Sequence, residues 1–326
     1  MLGVAFAGTF AAHFVEPVRA RLDIPCDIVV TDEAGIVSRL PDVDVLVTLA
    51  FTPTMGAAAR RLKLVQVPGA GLDRIDRAAL PAGARLANAY SHETGIAEYV
   101  LGAMLALRRE FARLDAALRR GQWVSQWAVG HPSPPPWPEL AGKTLSILGY
   151  GRIGHELARR ARAFDMDVLA IRRDAARPEP SDVATVHGTD GLDEAVARAD
   201  YLAITLPLTP ETRGLLDAKR LRSMKSSAIL VNVSRAQVVD EAALYAALAE
   251  RRIAGAALDV WYRYPTEPAA TLPATQPFHE LRNVLLTPHV SGWTDGMLDG
   301  RAELIADNIR RTARGEPPRN LVVPTV

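Results

Sequence analysis

A single cysteine, Cys26, stands among 326 residues. One thiol closes no intramolecular disulfide and offers no thiolate pair to a metal, which suits a reducing compartment. Aromatic residues are scarce, at 6%. Excess charge is lacking too, since 38 lysines and arginines face 37 acidic residues for a formal net of +1. No field of one sign is left to draw in nucleic acid or an acidic membrane surface. No uninterrupted apolar run approaches the roughly 18 residues of a membrane span. The opening MLGVAFAGTFAAHF is apolar but lacks the basic start of a signal peptide. The expectation is a cytoplasmic globular protein without metal, whose partner is a small molecule or another protein.

What is present is a rhythm. Leu2–Ala7, Asp27–Val30, Val43–Leu49 and Lys63–Val67 read as buried strands, separated by helix-compatible segments such as Met55–Arg61. Such βαβα alternation predicts a parallel sheet covered by helices on both faces. Glu93–Arg120 then reads as one long helix, with Ile96, Tyr99, Val100, Ala103, Met104 and Leu107 at helical spacing. The proline-rich stretch His131–Pro138 interrupts it, and the alternation restarts. Thr144–Leu148, Asp167–Ile171, Tyr201–Leu206, Ala228–Val233, Ala254–Val260 and Val284–Leu286 are strand-like, and a last helix lies near Gly296–Arg314. The fold class is therefore α/β, as two doubly wound parallel-sheet domains of Rossmann type split near residue 98.

The strand Thr144–Leu148 runs directly into Gly149-Tyr150-Gly151-Arg152-Ile153-Gly154, with a helix beginning inside the motif. That context makes GxGxxG a dinucleotide site rather than a chance string. Gly149 permits the tight turn, Gly151 lets the backbone approach a pyrophosphate, and Gly154 lets helix and strand pack closely. An acid about 20 residues on would bind the ribose of NAD; here the next strand ends in Arg172-Arg173-Asp174. Two guanidiniums suit the 2′-phosphate of NADP. NAD remains the alternative, with Asp174 on the ribose.

Two further residues follow strands in the same way. Arg235 comes just after Ala228–Val233, and its planar fork can hold a carboxylate and a developing oxyanion. His289 comes just after Val284–Leu286, and an imidazole can give or take a proton near neutral pH. With a hydride carrier between them, these groups suit reduction of a 2-keto acid or oxidation of a 2-hydroxy acid. His92 and His279 have no comparable setting.

The strings AGKTLSILGYGRIG, LPLTPETRGLLD, ILVNVSRAQVVDEAALYAAL, GAALDV and NVLLTPHVSGWT occur in that order over residues 141–294, with a weaker VPGAGLDRID upstream. Together they resemble the D-isomer-specific 2-hydroxyacid dehydrogenase family, and within it the glyoxylate and hydroxypyruvate reductases. The resemblance implies a dinucleotide-binding domain, 99–289, inserted into a substrate-binding domain, 1–98 with 290–326. It implies Arg235 and His289 as catalytic residues, and backbone N–H groups of Ala70 and Gly71 as ligands of the substrate carboxylate. Pro207, Thr212, Val233 and Ser234 would line the cofactor groove, and Asp259 would orient the nicotinamide carboxamide. It also implies a homodimer paired through the dinucleotide-binding domains.

The chain departs from the family where a glutamate normally supports the histidine. LDVWYRYPTEP carries Tyr264 at that register, while an insertion would bring Glu267 there instead. The register favours Tyr264, and loss of the carboxylate should move the acid limb of activity to lower pH. Ala236 replaces the usual glycine after the arginine. Trp261, Tyr262, Tyr264 and Trp293 concentrate aromatic surface here, either as a substrate wall or as dimer packing. The missing glutamate also keeps open a non-catalytic dinucleotide sensor on the same fold.

Overall fold

The computed structural model describes residues 1–174 and 184–322. Contacts divide the chain into two compact units, Met1–His92 with Trp293–Val326 and Glu93–Gly292.

In the first unit β1 (Leu2–Ala7), β2 (Cys26–Thr31), β3 (Val45–Thr48), β4 (Leu64–Gln66) and β5 (Arg85–Ala87) form a parallel sheet in the order β2-β1-β3-β4-β5. Period-2 alternation sends Val4 and Phe6 to one face, with Phe14, Ile305 and Ile309, and Ala5 and Leu46 to the other, with Ile36, Leu40 and Met55. β5 was not expected, because it has three residues and opens on an exposed arginine. The helix Asp295–Ala313 starts where the Thr294 side chain accepts from Met297 N. It buries Met297, Ala302, Ile305 and Ile309 against β1 and β3 residues. Beyond it, Arg319 N donates to Asn308 Oδ1 at 2.7 Å, and Val322 N to Leu86 O at 2.8 Å.

The second unit holds β6 (Thr144–Leu148), β7 (Asp167–Ile171), β8 (Thr185–His187), β9 (Tyr201–Ile204), β10 (Ile229–Asn232), β11 (Gly255–Leu258) and β12 (Val284–Leu286). They pair in parallel in the order β12-β11-β10-β9-β6-β7-β8. The order reverses between β6 and β9, so a crevice opens at their carboxyl ends, where such sheets bind ligands. Helices cover both faces. Ile96, Val100, Met104 and Leu157 pack on Leu145, Ile147 and Tyr201, while Val196, Leu221, Leu244 and Leu248 pack on Leu148, Leu202 and Leu230. Each fully buried leucine contributes about 1.5–3 kcal/mol, more than any exposed ion pair of this unit.

The long helix read from the sequence is two helices, Glu93–Arg108 and Phe111–Leu118, broken where Glu110 adopts φ 52°. The apolar stripe that holds the first helix to the sheet ends at Leu107, and nothing obliges the chain to continue straight past it.

Candidate active site

Seven chain segments leave the carboxyl edge of the second sheet, and each predicted group of that unit lies on one of them. The glycine turn is built as its residue types demand. Gly149 has φ 105°, and a Cβ there would lie 2.9 Å from Leu206 N and from the Thr205 carbonyl carbon. A Cβ on Gly154 would lie 2.6 Å from Gly149 O. One on Gly151 would meet nothing within 4 Å. Gly149 and Gly154 therefore answer to the fold, whereas Gly151 leaves an open approach to the backbone. The helix Arg152–Arg162 starts on Gly151, so its first-turn N–H groups lie at this opening with the positive end of the helix dipole. The arrangement fits the pyrophosphate of a dinucleotide. Thr205, which the sequence reading missed, locks the turn by donating to Gly149 O at 2.7 Å.

Gly149 N and Tyr150 N both donate to Ile171 O, at 2.9 and 3.1 Å, which fixes the end of β7 against the turn. Arg172 follows at once, its N–H on His187 O at 3.1 Å and its residue largely buried; Arg173 is exposed. Across from them lies the loop after β9. There the Thr209 hydroxyl, and more weakly the Arg173 charge, hold the Glu211 carboxyl below its usual range. Thr212 Oγ1 donates to Pro207 O at 2.7 Å and accepts from Thr209 N at 2.8 Å, so Thr212 closes its own loop.

Arg235 is set by a residue the sequence reading passed over. Asn232, at 1% exposure, accepts from Ser234 N (3.1 Å) and Ser234 Oγ (3.2 Å) and donates to Arg235 O (3.0 Å). Val233 and Ser234 are buried inside this turn, and Arg235 is only partly covered.

Asp259 is fully buried, with Oδ1 accepting from Thr287 Oγ1 (2.6 Å) and Val290 N (2.9 Å) and Oδ2 from Ser291 N (2.9 Å). Its carboxylate is thus turned to the histidine segment. Trp261 Nε1 donates to Thr287 O at 2.8 Å and Tyr262 Oη to Val239 O at 2.9 Å. Both rings pack within the second unit.

His289 adopts φ 58°, a left-handed conformation rarely taken by a residue with a side chain. Of the two residues left open behind it, Tyr264 is the one in contact, with its hydroxyl 2.7 Å from His289 Nδ1. Glu267 stands in an exposed turn, its carbonyl accepting from Ala269 N at 2.8 Å. Trp261 N donates to the Tyr264 oxygen at 3.3 Å. The phenol can donate to Nδ1 of a neutral imidazole whose ring hydrogen sits on Nε2, or accept from Nδ1–H. Burial lowers the His289 pKa; Asp259 opposes that shift and Arg235 adds to it. Burial likewise raises the Tyr264 pKa, against the Trp261 hydrogen bond and the Arg235 charge. Arg235, Tyr264, His289 and Asp259 form one electrostatic cluster.

In the first unit, Ala70 and Gly71 follow β4, again at a carboxyl edge. Among the described residues neither backbone N–H has a hydrogen-bond partner, while Ala70 O accepts from Asn88 Nδ2 at 3.1 Å. Trp293 packs its ring on His13 (4.9 Å) and Phe10 (5.7 Å), beside the end of β1.

Residues 101–291 match the model of the D-isomer specific 2-hydroxyacid dehydrogenase, NAD binding domain. This chain belongs to the D-isomer-specific 2-hydroxyacid dehydrogenase family. A glyoxylate reductase of Thermofilum pendens is 34% identical over 94% of this chain and 91% of its own length. A D-3-phosphoglycerate dehydrogenase of Methanocaldococcus jannaschii is 34% identical over 88% of this chain, which spans only 53% of that relative. The solved structure of a family member from Xanthobacter autotrophicus, in complex with NADPH and MES, has a TM-score of 0.77 at 28% identity and covers 99% of this chain and 98% of its own. As a family member the protein is an NAD(P)-dependent oxidoreductase of 2-hydroxy and 2-keto acids. No helix among the described residues is long and apolar enough to cross a membrane.

Proposed function

We propose that this enzyme reduces a small 2-keto acid of the glyoxylate or hydroxypyruvate kind with NADPH, in the cytoplasm and as a homodimer. The observation that carries the reading is the cluster of Arg235 and His289, on the segments after β10 and β12 of one sheet edge, with Tyr264, from the segment after β11, against Nδ1. The near-full-length similarity to a glyoxylate reductase supports the substrate class. The second unit holds the dinucleotide on the glycine turn, along the loop of Pro207 and Thr212 and beside Val233 and Ser234. The first unit supplies the substrate domain.

The unpartnered N–H groups of Ala70 and Gly71 receive the substrate carboxylate, with Trp293 bordering the substrate's far end. When bound, the reduced nicotinamide supplies the hydride. Arg235 grips the carboxylate and the keto oxygen and stabilises the charge that develops there. His289 delivers a proton from Nε2 to that oxygen. Tyr264 keeps the ring oriented in both protonation states, since a phenol can donate to Nδ1 or accept from Nδ1–H. A carboxylate could only accept.

Arg172 and Arg173 favour NADPH over NADH, because each offers a fork to a 2′-phosphate at the end of β7. The homodimer reading rests on an apolar surface of the second unit, where Phe111, Leu118, Trp123 and Trp127 are 55%, 53%, 61% and 75% exposed. Such a patch on one segment suits burial against a second copy. Steady-state oxidation of NADPH and NADH with a panel of 2-keto acids tests the reading. Turnover of glyoxylate or hydroxypyruvate with NADPH preferred is expected; turnover confined to other keto acids, or an NADH preference, would defeat it.

A further inference from the structure

The helix Glu93–Arg108 carries Tyr99 on its buried side, between Ile96 and Val100. A phenol there needs a hydrogen-bond partner, and its oxygen lies 2.6 Å from Thr287 Oγ1. The direction of that bond follows from the next one. Thr287 Oγ1 is 2.6 Å from Asp259 Oδ1, and a carboxylate oxygen can only accept. The single threonine proton is therefore committed to Asp259, and Tyr99 must donate to Thr287. Burial pushes the Tyr99 pKa up to about 12, against the Thr287 hydrogen bond, so the phenol keeps its proton at any working pH.

The chain of hydrogen bonds ends around the histidine. Asp259 receives the N–H groups of Val290 and Ser291, on the C-terminal side of His289. On its other side, Thr287 O accepts from Trp261 Nε1 and from His289 N (3.0 Å). His289 itself sits at φ 58°, a conformation that persists only where the surroundings impose it.

We propose that Tyr99 is a positioning residue for His289. Its hydroxyl, through Thr287 and Asp259, holds the 287–291 turn so that the imidazole keeps its left-handed backbone and its contact with Tyr264. The inference rests on His289 being the acid/base group proposed above. A phenylalanine would fill the same apolar space without anchoring the turn, so the role belongs to one oxygen atom.

The test is steady-state keto acid reduction across pH in the full-length enzyme, with Tyr99→Phe, Thr287→Val, Thr287→Ser, the double variant and His289→Asn. Tyr99→Phe should lower kcat about three- to tenfold, the worth of one hydrogen bond, with KM within about twofold. A loosened turn admits water to the histidine, so the alkaline limb of kcat should move up by about half a unit. Thr287→Val should do the same, Thr287→Ser should restore activity, and the double variant should be no worse than the poorer single one.

A wild-type kcat and pH profile in Tyr99→Phe, or losses that multiply in the double variant, would overturn the proposal while an inactive His289→Asn left the acid/base reading standing. A loss that tracks only a lower Tm, with the pH limb unmoved, would overturn it too. Full turnover by His289→Asn would remove both. Should Tyr99→Phe not fold, the Thr287→Val and Thr287→Ser pair decides by the same pH limb.

Discussion

The Tyr264 hydroxyl meets His289 Nδ1 at 2.7 Å, and no carboxylate hydrogen bonds to that ring among the described residues. A neutral partner leaves burial free to lower the histidine's proton affinity, with only Asp259 pulling the other way. Reduction consumes the imidazolium, whose fraction falls as pH rises through the pKa. A lowered pKa therefore places the alkaline limb of reduction below the ordinary histidine value of about 6.5. Tyr264→Glu should raise it by about one to two units, read as the midpoint of kcat against pH. An unchanged midpoint in that variant would mean that the contact does not govern the titration.

The glycines separate two kinds of failure. Gly154→Ala should destabilise the fold by about 1–3 kcal/mol, because its methyl would lie 2.6 Å from Gly149 O. Gly151→Ala should melt like the parent, since its methyl meets nothing within 4 Å, yet bind NADPH at least about tenfold more weakly. Thermal melts and a fluorescence titration of NADPH check the pair. Tight binding by Gly151→Ala would remove the pyrophosphate from this turn.

Cofactor choice should follow the arginines at the end of β7. Replacing Arg172 and Arg173 with alanine should raise KM for NADPH about ten- to a hundredfold, the loss of a charge-assisted contact. KM for NADH should stay within about threefold. Equal losses for both dinucleotides would assign the arginines to packing instead.

Arg235→Lys keeps the charge but not the fork. We expect kcat/KM to fall about a hundredfold or more with little change in Tm, because one point charge cannot hold two oxygens in a plane. Steady-state kinetics with a 2-keto acid, beside a melt, read this directly. A loss below threefold would show that Arg235 acts as a simple counter-charge.

If the proposed homodimer pairs through this surface, Trp123→Ser with Trp127→Ser should convert it to monomer in sedimentation velocity, since these rings expose large apolar surfaces on their segment. A dimer of unchanged stability would place the interface elsewhere.

The sheet framework was legible because its strands are apolar runs bounded by turn residues: β1, β6, β7 and β12 fall where the sequence puts them. β5 and β8, three residues each, lack enough apolar content to stand out. The break at Glu110 was invisible because local propensity continues through it, and only the end of packing at Leu107 stops the helix. At the site, residues that follow strands could be located, but not the direction each side chain takes. Asp259 turns toward Val290 and Ser291, some 30 positions on, and no local pattern encodes that pairing. Tyr99 could have been found: a phenol on an apolar helical stripe announces a buried partner.

The first unit is made of the two ends of the chain, and its core needs both. Met297, Ile305 and Ile309 complete the surface of β1 and β3, yet they are synthesised some 250 to 300 residues after those strands. During translation the second unit, continuous from Glu93 to Gly292, can close first. Until the last helix emerges, the N-terminal strands wait with an apolar face uncovered. A nascent chain stalled before residue 293 should therefore hold a folded dinucleotide domain and a sticky N-terminal segment, the natural client of a chaperone.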